Sequence, residues 1–411
     1  MKNCMTYESR EALSETELGL RRASCLDRLA RMYPEAGGLL IFSAVNIYYL
    51  TGFMGTGALW LPLAGDPLLL LGKGLERARL DSPHTPSAPM PCMRDLPGIA
   101  RACGLDLPGT IAADMSGLSW ALADDLRAAL PECVFLPGQG ILSDCRAVKT
   151  ARELHSLRQA GARHAKALED LLPETICQGM SEREIAARLF GICLELGNCA
   201  ISRMHNYGQE MLLGEVSAGD NCNCPTTYNG PLGFRGMHAS APYMGGNDIW
   251  KENTLLTVDT VFCYEGYNTD KTQCYFSGAE KDIPAEALEA HAFCREVERR
   301  VASRLLPGAA PSALYALSLR MAEEAGFAEG FMGLGANKVP FLGHSIGFCV
   351  DEPPVLARGF DEPLRAGMTI ALEPKVGIPG FGMVGTENTW EITPDGAVCL
   401  TGGIREIRSL K

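Results

Sequence analysis

The chain has no run approaching the roughly 20 uncharged apolar residues that cross a bilayer, so no membrane-spanning helix is expected. Its first residues, MKNCMTYESREALSETE, lack the apolar core of a signal peptide, which predicts a cytoplasmic protein. It also lacks positive charge: 37 Lys and Arg against 49 Asp and Glu leave a net charge of −12. That balance argues against a nucleic-acid partner and against an anionic membrane surface. CxxC pairs are missing among the 16 cysteines, and scattered thiols in a chain of this size read as reduced. Cys222 and Cys224, in NCNCP, have no further His or Cys at metal-ligand spacing and read as part of a structural loop. What is present is an ordinary soluble composition, 46% hydrophobic and 21% charged, in 411 residues that allow two or three domains.

The first third opens with a polar helix and continues with GLLIFSAVNIYYLTGF, in which Leu39–Phe42 and Ile47–Leu50 read as short buried strands. ALWLPLAGDPLLLLG reads as a hairpin split at Gly-Asp-Pro, DSPHTPSAPMP as a surface loop, and TIAADMSGLSWALADDLRAAL as a strand followed by a helix. Alternating strands and helices predict an α/β domain over 1–149. From residue 150 the texture changes. Leu154, Leu157, Gly161, Ala165, Leu168 and Leu172 share one helical face, predicting an amphipathic helix over 151–172. Ser181 and Glu184 form a capping box for a second helix that Gly197 stops. Two more helices are expected over 284–306 and 311–325, and strands and turns elsewhere, giving an α+β domain over 150–411. Trp60, Trp120, Trp250 and Trp390 read as core residues, and His84, His155, His164 and His291 as surface or packing residues.

Acids inside apolar runs stand out in the last third. TLLTVDTVFCYEGYNTDKTQCYFSG reads as two strands around a Tyr-Glu-Gly-Tyr turn, which puts Asp259 and Asp270 on one face, opposite or nearly opposite each other. Paired like charges on strands cost stability unless one protonates or both share a cation. MTIALEPKVGIPGFGMVGTENTWEIT repeats the pattern with Glu373 and Glu387 about a turn near Gly380. Between the two hairpins, FLGHSIGF holds His344, whose flanking glycines allow close backbone approach. One imidazole and four carboxylates suit Mn²⁺, Co²⁺, Fe²⁺ or Zn²⁺, and four carboxylates balance two divalent ions.

These motifs resemble those of the metallopeptidase family that includes methionine aminopeptidase, Xaa-Pro aminopeptidase, prolidase and creatinase, whose catalytic domain has the pita-bread fold. VDTVFCYEGYNTDKT matches its paired-aspartate hairpin, GHSIG its metal histidine, ALEP its first glutamate and GTEN its second. NIYYLTGF resembles its creatinase-type N-terminal domain, and VKTARELHSLRQAG the start of its catalytic domain, so the resemblance covers nearly the whole chain. It implies two divalent ions bridged by Asp259 and Glu387, with Asp270 completing one shell and His344 with Glu373 the other. It further implies a shared hydroxide attacking a scissile amide, with Glu373 shuttling the proton to the leaving nitrogen. A homodimer is implied as well.

The chain departs from the family around this set. Pro340 and Asp351 stand where proline-specific relatives carry histidines, Gly385 where an arginine usually precedes the last glutamate, and Gln273 where DxTR ends. His238 is the nearest candidate for a third family histidine, as a catalytic donor that binds substrate, although its spacing is a few residues too long. Asp351 is expected to favour a cationic substrate group, and the Gly- and Pro-rich segment 220–247 to line the cleft. The expected function is a dinuclear hydrolase of short peptides, of Xaa-Pro aminopeptidase or dipeptidase type. The alternatives are a lyase or C–N hydrolase of a small metabolite, favoured by the altered substrate residues, and a non-catalytic binding protein, which the complete ligand set opposes.

Overall fold

The computed structural model describes residues 12–105, 107–205 and 210–410. The chain divides into two compact units, one ending at Arg146 and one running from Ala147 onward. The first contains helix α1 (Glu15–Met32), strand β1 (Gly38–Ile41), α2 (Ala44–Thr51), β2 (Ala58–Pro62), β3 (Leu68–Leu71), α3 (Leu75–Asp81), β4 (Ser87–Pro89), α4 (Leu96–Ala102), β5 (Thr110–Ala113), α5 (Trp120–Ala129), β6 (Val134–Pro137) and α6 (Gln139–Ala147). Its six strands form one mixed sheet in the order β4-β3-β2-β1-β5-β6. The expected hairpin is β2–β3, with Trp60 facing Leu68. Three local expectations fail here. Ile47–Leu50 belongs to helix α2, which the left-handed Gly52 ends; a four-residue apolar run does not distinguish a buried helix from a strand. The proline-rich loop supplies the edge strand β4, parallel to β3. Trp120 opens α5 and is 82% exposed, while Trp60 and Trp250 are buried.

The second unit begins with α7 (Ala151–Ala165), started by a capping box between Thr150 and Glu153, and α8 (Glu182–Glu195), started by the one between Ser181 and Glu184. The expected single helix over 151–172 is interrupted: after Ala165 the backbone widens into a π turn over Lys166–Leu171 and closes as a 3₁₀ turn. Strands β7 (Ser202–Arg203) and β8 (Glu210–Met211) pair with each other. A larger sheet then gathers β9 (Gly214–Ala218), β10 (Leu255–Tyr264), β11 (Tyr267–Ser277), β12 (Phe341–Ser345), β13 (Glu352–Ala357), β14 (Thr369–Leu372) and, past the short pair β15 (Lys375–Ile378) and β16 (Gly382–Gly385), β17 (Glu387–Thr393). Its order is β13-β12-β14-β17-β11-β10-β9, with β18 (Gly396–Cys399) on β17 and β19 (Arg408–Leu410) on β11. Helices α9 (Ala285–Ala302) and α10 (Pro311–Ala325), the latter ended by left-handed Gly326, bury Ala287, Cys294, Val297 and Leu314 in one core with Phe276, Leu342, Ile370 and Ile392 of the sheet. A second core joins α7 and α8 to β9, β10 and β11. Among the described residues, no helix is long and apolar enough to cross a membrane.

Candidate metal centre

Strand register assembles the site. Glu215 of β9 faces Asp259 of β10, Asp259 faces Thr272 of β11, and Thr272 faces Glu387 of β17, so one row runs across four neighbouring strands. Asp270 faces Val261, two places along, which makes it a diagonal neighbour of Asp259 on the same face of the sheet. His344 lies opposite Ala371 of β14, and Glu373 directly follows β14, where its N–H donates to the Leu342 carbonyl at 3.1 Å. Gly343 permits that approach, because a Cβ there would meet the Ala371 carbonyl oxygen at 2.1 Å. The second acid-bearing hairpin is interrupted: β14 pairs with β17 and β15 with β16, and Glu373, Pro374 and Thr386 lie at the break.

All five sequence-derived ligands are buried and line one open-mouthed cavity of about 130 Å³. Their donor atoms fall into two groups whose atoms lie within 4.8 Å of one another, Asp270 with His344 and Glu387, and Asp259 with Glu373 and Glu387. Glu387 is common to both; Asp259 sits with Glu373 and Asp270 with His344, while His344 Nε2 also lies 3.6 Å from Glu373 Oε1, the pair the resemblance puts in one shell. The first group fits a divalent ion. Asp270 Oδ1 is buried without a hydrogen-bond partner, and His344 Nδ1 faces its neighbour's carbonyl, Ser345 O, at 3.2 Å. If that contact takes the Nδ1 proton, the Nε2 lone pair is left for a cation.

The second group already holds a cation from the protein. Lys375 Nζ lies 3.0 Å from Asp259 Oδ2 and donates to Glu373 Oε2 at 3.1 Å and to Glu387 Oε2 at 2.8 Å. The lysine is 0% exposed. Burial lowers its proton affinity, but Asp259, Glu387 and Glu373 outweigh burial and hold it well above the usual lysine range. Burial pushes Asp259 up to about 7, with Lys375 opposing and Glu387 adding to the rise. Burial followed by acidic neighbours pushes Asp270 and Glu215 well up, and burial raises Glu373 against the pull of Lys375 and His344.

Neighbouring groups fix this geometry. Thr272 Oγ1 donates to Glu387 Oε2 at 3.0 Å. On the far side of β17, the buried Glu298 of α9 accepts from Thr386 Oγ1, Asn388 Nδ2 and Trp390 Nε1 at 2.7, 2.8 and 3.0 Å. Trp390 therefore points away from Glu387, as alternation along the strand requires, although it is half-buried. The buried Glu182 carboxylate accepts from Ala218 N, Asn221 Nδ2 and Gly246 N, tying both ends of the Gly- and Pro-rich segment to α8. Tyr228, Asn229 and Gly230 of that segment reach the cavity wall. Within it, Cys222 is a buried free thiol donating to Ser217 O at 3.3 Å.

Asp351 lines the cavity, where its Oδ1 accepts from the His205 N–H at 2.5 Å. His238 is not brought there. It lies exposed in a short turn, its Nδ1 2.7 Å from Ser240 Oγ, and is absent from the cavity lining. A spacing a few residues too long leaves the ring in its own turn. Sequence reasoning missed Glu215 and Lys375. Each was visible only as a charge within an apolar run, LLGEVSA and IALEPKVGI.

The model of metallopeptidase family M24 matches residues 155–394, and that of the creatinase/prolidase N-terminal domain matches residues 21–148. A probable dipeptidase PepE of Mycobacterium bovis is 26% identical over 396 residues, covering 90% of this chain and 91% of the relative. An Xaa-Pro dipeptidase of Pyrococcus furiosus is 24% identical, covering 93% and 99%. Among solved structures, an Xaa-Pro dipeptidase from Bacillus anthracis superposes with a TM-score of 0.78 at 20% identity, over 95% of this chain and 100% of that one.

Proposed function

The chain belongs to metallopeptidase family M24, and from that premise we propose that it is a metal-dependent hydrolase of short peptides, of the Xaa-Pro dipeptidase type. The carrying observation is the convergence of Asp270, His344 and Glu387 on one point of a cavity wall, with an orphaned carboxylate oxygen among them. A divalent ion held there supplies Lewis-acid polarisation of an amide carbonyl and acidifies a water molecule. We assign to Glu373, whose Oε1 lies 3.6 Å from His344 Nε2, the transfer of a proton from water to the leaving nitrogen. Met204, Phe341, Val350 and Val355 form an apolar wall, and Asp351 supplies a charge for a free amino group. The volume is close to the ~150 Å³ that holds a benzene ring in an engineered cavity, so it suits one small ring or side chain. That size supports a dipeptide over a folded protein substrate. The relatives named as dipeptidases support the same choice.

The test assays chelator-stripped and Mn²⁺-reconstituted protein against Xaa-Pro and other dipeptides. We expect amino-acid release only after reconstitution, and a kcat about 10²–10⁴-fold lower in Glu373→Gln. A second reading, a C–N hydrolase or lyase of a small metabolite, is favoured by two observations. His344 is the only histidine on the cavity wall among the described residues, and Lys375 sits among the acids. Bound metal with no peptide turnover would select that reading, and neither metal nor turnover a binding role. We place the enzyme in the cytoplasm on the strength of its free thiols. A homodimer is proposed from the family resemblance, and sedimentation would check it.

A further inference from the structure

The site has two groups of ligand atoms but only one of them is free to receive an ion. Lys375 Nζ lies within 3.1 Å of a carboxylate oxygen from each of Asp259, Glu373 and Glu387, the whole of the second group. A divalent ion on those same oxygens would need the space the ammonium fills, and the two positive charges would repel at short range. The lysine has little room to withdraw, since its side chain is fully buried.

A second feature shows that the lysine is built in. Lys375 and Gly385 face each other across β15 and β16. A Cβ at Gly385 would come within 2.5 Å of Lys375 Cγ and 2.7 Å of the Pro374 carbonyl oxygen. The lysine side chain runs over the missing side chain of residue 385, so only glycine there leaves its path to the acids open. Gly385 also occupies the position at which the sequence departs from the expected arginine, two residues before Glu387. The departure at Gly385 and the buried Lys375 are therefore one device. A cationic side chain is absent at 385, and another arrives from 375 in the space that this absence leaves.

We propose that the Lys375 ammonium permanently fills one of the two cation positions, so that the chain takes a single divalent ion, at Asp270, His344 and Glu387, in place of the pair expected from the sequence. This rests on the metal-dependent reading above. It makes Lys375 a positioning residue: it holds Asp259, Glu373 and Glu387 together before any ion arrives, a task that otherwise falls to a second metal.

The test counts ions. Full-length protein stripped with chelator is saturated with Mn²⁺, passed through gel filtration and analysed for manganese per chain, alongside Lys375→Gly. One ion in the wild type and two in the variant is the expected result. Two ions retained by the wild type, or one by both proteins, overturns the proposal. Should Lys375→Gly fail to fold, anomalous diffraction from Mn²⁺-soaked wild-type crystals decides. A single peak beside Asp270, His344 and Glu387, with Nζ still bonded to the other three acids, supports the proposal, and a second peak overturns it. A wild-type chain that keeps no ion sinks the metal-dependent reading along with this one, whereas two ions sink this one alone.

Discussion

Asp351 is a half-buried carboxylate on the cavity wall that accepts from the backbone N–H of His205. Among the described residues no hydrogen-bond partner is seen for its other oxygen, which we assign to a substrate ammonium. Replacing it in Asp351→Ala should raise KM about fivefold for dipeptides with a free amino terminus, the equivalent of ~1 kcal/mol for a partly exposed charge pair. N-blocked analogues should be unaffected, and an equal rise for both would remove the assigned role. Residues of this kind differ in how legible they are. Asp259, Asp270, Glu373 and Glu387 stood out because an acid inside an apolar strand is costly without a partner. Lys375 did not, since a lysine after Glu-Pro reads as a solvated turn, and its burial depends on Gly385 across a hairpin. Glu215 was equally hidden, because the strand that pairs it with Asp259 lies far along the chain. His238 misled through sequence position alone; its ring turns back to its own loop.

Elements carry these residues to one face, and β17 shows how. Its residues alternate, Glu387 toward the cavity and Asn388 and Trp390, with Thr386 just before the strand, toward Glu298 of α9. A buried carboxylate with three donors acts as a clasp on the strand that both ligand groups share. Glu298→Leu strands those donors in an apolar interior, at about 1–3 kcal/mol for each group left unsatisfied. We expect a loss of at least ~3 kcal/mol in urea unfolding, together with weaker Mn²⁺ retention as Glu387 loses its register. Glu298→Gln, which still accepts hydrogen bonds, should lose less of both. A strand that kept its ion affinity in Glu298→Leu would show that the clasp serves stability alone. The acid-bearing hairpins were legible at this scale because alternation and turn residues are local. The break between β14 and β15 was not, because it follows from β14 pairing with β17 while β15 pairs only with β16. Helix α2 escaped for a related reason: a short apolar segment takes the conformation its tertiary neighbours select.

Across the second unit, buried titratable groups set how stability responds to acid. His164 sits between Thr260 and Thr269 beneath the aspartate hairpin, with burial and then Lys271 lowering it to about 3. His291 on α9 is lowered to about 4 by burial and then Arg295. Both values lie below the ~6.5 of an unfolded histidine, so the unfolded chain takes up protons that the fold refuses. The stability they allow is intact above pH ~6.5 and falls as pH drops toward 4 and then 3, by about 2 kcal/mol per histidine at pH ~5. Asp259, raised by burial to about 7, works in the opposite sense: its protonated folded form gains as pH falls through that value. The raw pH profile of metal-free protein therefore mixes two trends. The histidine share is isolated as the difference between wild type and His164→Asn or His291→Asn. Each variant should lose part of the acid sensitivity between pH ~6.5 and ~5, read as a urea midpoint that falls less steeply. Parallel slopes in wild type and both variants would mean that neither imidazole is kept neutral by the fold.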